Sequence, residues 1–270
     1  MKFGINHWTF PKGMSLRESF VLAKTSGCDS IEVNLAEEGE LSLQSSEADV
    51  KALARAARDE GIEISSLSSG LFWSYPASSS DPAMRQKSLE VLQFQLRVAS
   101  WLGVDTALVV PGKVTPEDSY DQVYDRARSL VEKALPTAKE TGVGIGLENV
   151  WNRFLLSPLE TRDFVDFFGD PLVGVYFDAG NILAYGYPQH WIRILGKRIR
   201  KVHVKDFDDG LGGWTAFRNL LSGKVPWTEV RTALREVGYD GYITAEVEGY
   251  PAYPELGMRH IVECMREMLG

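Results

Sequence analysis

Five times along this chain a helix-like stretch closes on Gly, passes through one or two linking residues and enters a strand: "TSGCDSIEV", "DEGIEISSL", "WLGVDTALVV", "ETGVGIGLE" and "EVGYDGYITAE". Gly supplies the left-handed C-cap of the helix, and so short a link is the αβ loop of a β/α unit. The recurrence of this join constrains the fold more than any other feature. Eight β-like segments can be read in order: "KFGIN", "SIEVNL", "IEISSL", "TALVVPG", "VGIGLEN", "VGVYFDAG", "IRKVHVKD" and "GYITAEV". Several are nearly continuous apolar runs rich in Val and Ile, the pattern of a parallel sheet covered on both faces.

Helical patterns lie between them. "SLRESFVLAKTSG" places Leu16, Phe20, Val21 and Ala23 on one side. "DPAMRQKSLEVLQFQLRVASWLG" opens on Asp81 and Pro82, an N-cap and first-turn pair, and closes on Gly. No Pro-, Gly- or Ser-rich linker divides the 270 residues. The expectation is an α/β chain folded as one (β/α)8 TIM barrel domain over residues 1–270. A doubly wound open sheet is the structural alternative. It usually carries a Gly-rich fingerprint after its first strand, and "GINHWTF" is nothing of the kind.

Composition enters only to narrow the function. With 44% hydrophobic and 24% charged residues there is material for a large core. No apolar run approaches the roughly 18–20 residues of a membrane span, and "MKFGINHWTF" lacks the apolar core and cleavage site of a signal peptide. Cys28 and Cys264 fit neither a disulfide framework nor a zinc motif and are read as reduced and packed. A cytoplasmic protein with no membrane partner is the simplest expectation. The formal charge of −8 argues against a nucleic-acid partner, whose phosphates call for clustered Lys and Arg.

In a TIM barrel the C-terminal strand ends form one mouth, where chemistry is almost always found. Reading those ends in order gives His7, Glu32, Ser68, the "VVPGK" end, Glu148, Asp178, His203 and Glu246. Three carboxylates and one imidazole thus fall on strands five to eight, one each. Neighbouring strands lie about 4.8 Å apart, so consecutive ends can converge on one ion. Such a donor set suits Mn²⁺, Mg²⁺ or Co²⁺ better than a thiolate-bound zinc. Singly, each residue has a plainer reading. A strand-end carboxylate is often a salt-bridge partner, Asp178 in "YFDAGN" can cap the next helix, His203 can be a satisfied core histidine, and Glu248 rivals Glu246 on the same strand face. It is the set of four, in strand order, that points to a metal site.

Three stretches carry a resemblance to a known family: "GLENVWNRFLLSP", "VYFDAGNILAYGYPQHWIRILGKRIRKVHVKDF" and "REVGYDGYITAEV". With them the chain, over essentially its whole length, resembles the xylose isomerase-like TIM barrel superfamily. The similarity is to the sugar-phosphate isomerase/epimerase branch, with its ketose 3-epimerases and its hexulose- and xylulose-phosphate isomerases and epimerases. The resemblance implies a metal site of Glu148, Asp178, His203 and Glu246, with Glu148 and Glu246 also the catalytic acid/base pair. It implies one divalent ion, Mn²⁺ by preference with Mg²⁺, Co²⁺ or Zn²⁺ in its place, and a small-molecule sugar or sugar phosphate as substrate. Many enzymes of this kind are homo-oligomers, and the same is expected here. An ion held by a ketose carbonyl and its neighbouring hydroxyl acidifies the C–H between them and stabilises the enediolate. One carboxylate removes the proton and the other returns it to the opposite face, which is epimerisation; one Glu shuttling it between adjacent carbons gives aldose–ketose isomerisation.

The chain departs from the family pattern in two places. Similar ketose 3-epimerases usually have a His three residues after the strand-six Asp, where this chain has Asn181, and an Arg a few residues beyond the strand-seven His, where Lys205 is near and Arg218 far. Asn181 can still donate to a substrate hydroxyl but cannot act as a comparable base. Other substrate-binding expectations are His7 with Trp8 as a wall, and Glu32 either on a hydroxyl or paired with a basic group. Trp73 with Phe72 and Tyr75 would cover one sugar face, Trp151 and Arg153 would shape the pocket, and Lys205, Lys113 or Arg153 would receive an anionic group.

Three other functions compete. An inosose-type dehydratase needs only a different leaving-group geometry on the same ion. An apurinic endonuclease on this barrel holds a three-metal cluster rich in histidine, and this chain has only His7, His190, His203 and His260. A non-catalytic sugar-binding barrel would have little use for both Glu148 and Glu246.

Overall fold

The computed structural model describes residues 1–270 and shows a closed, all-parallel eight-stranded barrel. Its strands are β1 (Lys2–Asn6), β2 (Ser30–Leu35), β3 (Glu63–Ser69), β4 (Thr106–Val109), β5 (Gly144–Glu148), β6 (Val173–Asp178), β7 (Ile199–Val204) and β10 (Tyr242–Ala245). They follow one another around the barrel in chain order, and β10 closes it against β1. All eight segments expected from the sequence are strands of this barrel. A ninth and tenth piece, β8 (Asp206–Phe207) and β9 (Phe217–Arg218), form an antiparallel ribbon outside it, in the loop after β7. A two-residue strand carries no periodicity, so the sequence pattern does not reveal it.

The helices form where apolar spacing and caps agree. In α1 (Leu16–Thr25) Ser15 accepts from the Glu18 N–H while Glu18 reaches back to the Ser15 N–H, a capping box. Leu16, Phe20 and Ala23 of α1 are buried as expected, but Val21 is 43% exposed and Leu22 takes its place inward. Val21 stands a full 100° around the helix from Phe20, off the apolar stripe. In α4 (Pro82–Leu102) the Asp81 carboxylate accepts from the Ala83 N–H at 2.8 Å, and Gly103 ends the helix at φ +80°. Gly142 does the same for α5 (Tyr120–Thr141) at φ +70°. The remaining long helices are α2 (Glu47–Asp59), α6 (Pro158–Asp166), α8 (Pro188–Leu195), α9 (Trp227–Glu236) and α10 (Pro254–Leu269). Short helices α3 (Leu71–Ser74) and α7 (Ala179–Ile182) sit directly after β3 and β6, at the mouth. No helix is long and apolar enough to cross a membrane.

The core lies mainly between sheet and helices. Ile31, Val33 and Leu35 of β2, Val175 and Phe177 of β6, and Val202 and Val204 of β7 all point to the helices and are buried. The alternate positions face the barrel axis, and there the register assembles polar groups. Asn6, Glu32 and Ser66 lie opposite one another across β1, β2 and β3, and Asp178, His203 and Thr244 do so across β6, β7 and β10. Because side chains alternate with period two, the apolar coat and the polar interior come from the same short segments.

Candidate metal and active site

Glu148 ends β5, Asp178 ends β6, His203 is the fifth residue of β7, and Glu246 follows β10 directly. The Glu246 N–H still donates to the Val204 carbonyl at 3.1 Å, so it holds strand geometry one residue past the assigned end. One ligand atom from each of the four lies within 4.8 Å of the others. Glu248, its rival on the last strand, is exposed and lies outside this group. The four strands are consecutive around the barrel, so the two glutamates flank the cluster from its outer strands while Asp178 and His203 lie between them.

His203 shows why the cluster suits a cation. Its Nε2 is 2.7 Å from Glu32 Oε1, deep in the barrel, and donates to it. That fixes a proton on Nε2 and turns Nδ1 toward Glu148 Oε1 at 3.5 Å and Glu246 Oε2 at 3.8 Å. Nδ1 is buried and has no hydrogen-bond partner. Nδ1 set against two carboxylates calls for a positive charge there, a proton or a metal ion. Burial alone would lower the His203 pKa, but the Glu32 charge and the Glu148 contact hold it well above the ordinary value. The group therefore favours a cation at Nδ1, and a hard divalent ion with three carboxylates and one imidazole fits the donor set.

The glutamates are driven apart in acidity. Burial pushes the Glu148 carboxyl up to about 7, with the Glu246 charge adding to it. Burial also acts to raise Glu246, but the charges of Lys205 and His203 outweigh it and leave that carboxyl below its ordinary value. Asp178, fully buried, is raised by desolvation against the pull of Lys205.

Backbone and amide contacts hold these groups in position. The Asn149 side chain donates to the Asp178 carbonyl at 2.8 Å and accepts from the Asp178 N–H at 2.9 Å, so it acts as one more rung between β5 and β6. Asp178 Oδ1 accepts from the Asn181 N–H at 2.8 Å. The capping reading of Asp178 and its place in the cluster are thus compatible, since Oδ2 stays on the cluster side, 3.0 Å from Lys205 Nζ.

Several expected substrate contacts lie elsewhere. Glu32 does not reach the mouth: it is the third residue of β2, fully buried, and accepts from Ser66 Oγ at 2.6 Å, from Asn6, from Tyr176 and from His203. Burial acts to raise it, but His203 and these donors outweigh that and hold it below the ordinary range. Of its two readings from sequence, pairing with a basic group is the one the structure shows. Asn181 is also buried, and it donates through its amide to the Asn149 carbonyl at 2.9 Å, while its own carbonyl accepts from Trp151 Nε1 at 3.0 Å. It ties two loops together and does not open onto the mouth, because α7 turns it back beneath the β5 loop. Lys205 is not a free anion receiver: its ammonium pairs with Asp178 and Glu246. Phe72 is buried and Tyr75 bonds Glu37, so of that trio only Trp73, 44% exposed, stands open. His7 stacks on Phe10 at 5.6 Å and lines, with Trp8, Asn34 and Glu40, a cavity of about 370 Å³ over β1 and β2. Arg153 and Lys113 are exposed.

The structure adds groups that the sequence pattern missed, Phe207, Trp214 and Phe217, which surround the expected Trp151. Trp151 packs on Phe217 at 4.8 Å, on Phe207 at 5.3 Å and on Trp214 at 5.6 Å, an aromatic wall built by the β8–β9 ribbon. Beside it a cavity of about 490 Å³ is lined by Lys205, Trp214, Phe217, Arg218, Ser222 and Glu246 among others, and so opens onto the four-residue cluster. Ser66 and Tyr176 complete the shell of Glu32. Period-two alternation, which puts Glu32 and Ser66 on inward positions of their strands, was the available signal.

The family model described as xylose isomerase-like TIM barrel matches residues 20–268. The chain belongs to that family. Among relatives of this family member is a protein of Escherichia coli (strain K12) named "Putative L-ribulose-5-phosphate 3-epimerase SgbU", 27% identical over 91% of this chain and 88% of the relative. L-ribulose-5-phosphate 3-epimerase UlaE of Escherichia coli O1:K1 / APEC is 25% identical over 88% of this chain and 84% of its own length. The crystal structure of a D-psicose 3-epimerase in the presence of D-fructose shares the barrel, with a TM-score of 0.84 at 20% identity over the full length of both chains. The sequence relatives bear epimerase names, the isomerase class expected above, and the dehydratase alternative gains nothing from them. His190 and His260 lie on α8 and α10 and take no part in the cluster, so the endonuclease reading has no support in the geometry.

Proposed function

We propose that this family member is a metal-dependent sugar or sugar-phosphate epimerase that inverts the carbon next to a ketose carbonyl, with Glu148, Asp178, His203 and Glu246 as ligands of one divalent ion, Mn²⁺ by preference. The observation that carries the reading is the placement of Glu148 and Glu246 on the outer two of four consecutive strands. Two carboxylates that flank a cluster from opposite sides can address the two faces of one carbon. The ion, when bound, draws electron density from the substrate's carbonyl and neighbouring hydroxyl and so acidifies the C–H between them.

One glutamate takes that proton and the other delivers a proton to the opposite face. Without metal the two differ in acidity, Glu148 raised chiefly by burial and Glu246 lowered by the charges of Lys205 and His203, so their environments are not equivalent. His203 holds its lone pair toward the cluster because Glu32 fixes its tautomer. The wall of Trp151, Phe217 and Trp214 lies beside Glu246, where the apolar C–H face of a sugar can stack. The epimerase names of the relatives favour 3-epimerisation over aldose–ketose isomerisation, and the phosphate in two of those names makes ketose 5-phosphates the first substrates to try.

The test is proton–deuterium exchange by NMR. Mn²⁺-loaded protein in D₂O is offered ketoses, ketose phosphates and inososes, with Glu246→Gln as control. Deuterium appearing at C3 together with the C3 epimer, both lost in the control, is the expected result. Exchange at C1 with an aldose product would make the protein an isomerase, and no exchange on any of these substrates would end the reading.

A further inference from the structure

Lys205 brings an ammonium into the four-residue cluster. Its Nζ lies 3.0 Å from Asp178 Oδ2 and also pairs with Glu246 Oε2, the oxygen that faces His203 Nδ1. The side chain is only 14% exposed, and its ammonium stands 5.1 Å over the Phe217 ring. Gly180 makes room for it: a Cβ there would come within 2.4 Å of the Lys205 carbonyl oxygen and 2.6 Å of its Cγ. The chain thus brings a full positive charge onto the oxygens of two of the four ligand residues.

We propose that Lys205 is an internal rival of the divalent ion. Its ammonium takes Asp178 and Glu246 oxygens that the ion also needs, and it leaves them when the ion binds. The inference rests on the reading of the four-residue cluster as a metal site. An ammonium and a divalent ion cannot share a carboxylate oxygen at contact distance without strong repulsion. The adjoining cavity of about 490 Å³, which Lys205 itself lines, receives the displaced side chain beside Trp214, Arg218 and Ser222. Two effects follow. Asp178 and Glu246 stay paired and packed without metal, and metal affinity is held below what four such ligands would otherwise give.

The experiment measures Mn²⁺ affinity by calorimetry on metal-stripped wild type, Lys205→Met, Lys205→Arg and Asp178→Asn. Lys205→Met is expected to bind Mn²⁺ on the order of tenfold tighter than wild type, the scale on which groups touching metal ligands alter affinity. Its melting temperature without metal should be lower and its Mn²⁺-induced rise larger. Lys205→Arg, which keeps the charge, should stay close to wild type, and Asp178→Asn should lose binding. In the wild type itself, amine labelling of Lys205 followed by mass spectrometry should speed up when Mn²⁺ is added, which tests the displacement without any substitution. Wild type that binds while Lys205→Met binds equally or more weakly, or Lys205 labelling that does not rise with Mn²⁺, overturns the rivalry and leaves the metal site standing. Failure of wild type and Lys205→Met alike to bind Mn²⁺ overturns both.

Discussion

Glu32→Gln is the substitution that most directly tests how the site is supported. The wild-type carboxylate is fully buried and receives His203 Nε2 at 2.7 Å, Ser66 Oγ at 2.6 Å, Asn6 and Tyr176. The amide keeps the shape and loses the charge, and its NH₂ group meets neighbours that are mostly donors. Hydrogen bonds to a charged group contribute about 1.5–3 kcal/mol each, and taking away one partner of a buried pair costs about 3–5 kcal/mol. The Ser66 and Tyr176 hydroxyls can rotate and recover part of this, so a net loss of about 3 kcal/mol is expected, or roughly 6–12 °C in Tm for a chain of this size. The second effect is on the metal. With the Nε2 proton less firmly held, His203 is free to change tautomer or turn, and Mn²⁺ affinity should fall by about 10–100-fold.

Thermal unfolding of metal-stripped protein and Mn²⁺ calorimetry read the two effects separately. Glu32→Asp sharpens the comparison, because it keeps the charge but withdraws it from His203 by one methylene. A Glu32→Gln protein that melts lower yet binds Mn²⁺ as tightly as wild type would refute the orienting role and reduce Glu32 to a packing group. One that changes in neither respect would refute the hydrogen-bond argument altogether.

Other outcomes follow from the same geometry. Chelation should abolish epimerisation and added Mn²⁺ should restore it, as followed by product NMR. Mn²⁺ affinity should weaken as pH falls below about 7, by up to about tenfold per unit, because the Glu148 carboxyl, raised chiefly by burial, then holds a proton that the ion must displace; calorimetry in buffers of different ionisation enthalpy would show the released proton. Trp214→Ala, at a side chain 73% exposed, should raise KM severalfold while leaving Tm within a degree or two, and an unchanged KM would remove it from the sugar wall. Gly180→Ala should cost about 1–3 kcal/mol in thermal unfolding, since the new Cβ would meet the Lys205 carbonyl oxygen at 2.4 Å and force the β7 loop outward.

The architecture was legible because it rests on local signals. Each Gly that ends a helix at positive φ, and each apolar run that must be covered on both faces, is visible in a window of ten residues. The four-residue cluster was legible for a related reason. In a parallel barrel the strand ends meet at one rim by construction, so listing the ends of β5, β6, β7 and β10 is already a statement about space. The contacts of Glu32, Asn181 and Lys205 were not legible in this way, because strand order alone does not decide what they touch. β2 continues three residues beyond Glu32, to Leu35, which leaves the carboxylate a layer below the rim. Asn181 is turned under the β5 loop by a helix of one turn, and Lys205 is drawn inward by charges on β6 and β10 that no local window contains.

The same distinction separates two layers of charge within the barrel. At the rim, three carboxylates converge on His203 Nδ1, and the Lys205 ammonium offsets only part of their charge. One layer down, Glu32 places another carboxylate where its charge is fully met by hydroxyls, an amide and the far side of the same imidazole. His203 therefore connects a satisfied carboxylate to a set that Lys205 satisfies only in part. Its ring can turn only if bonds on the satisfied side break, which is why the deeper residue governs the geometry of the upper ones. Substitutions that keep charge but shift length by one methylene at Glu32 should disturb metal binding more than charge changes at the exposed rim, such as Glu248→Gln.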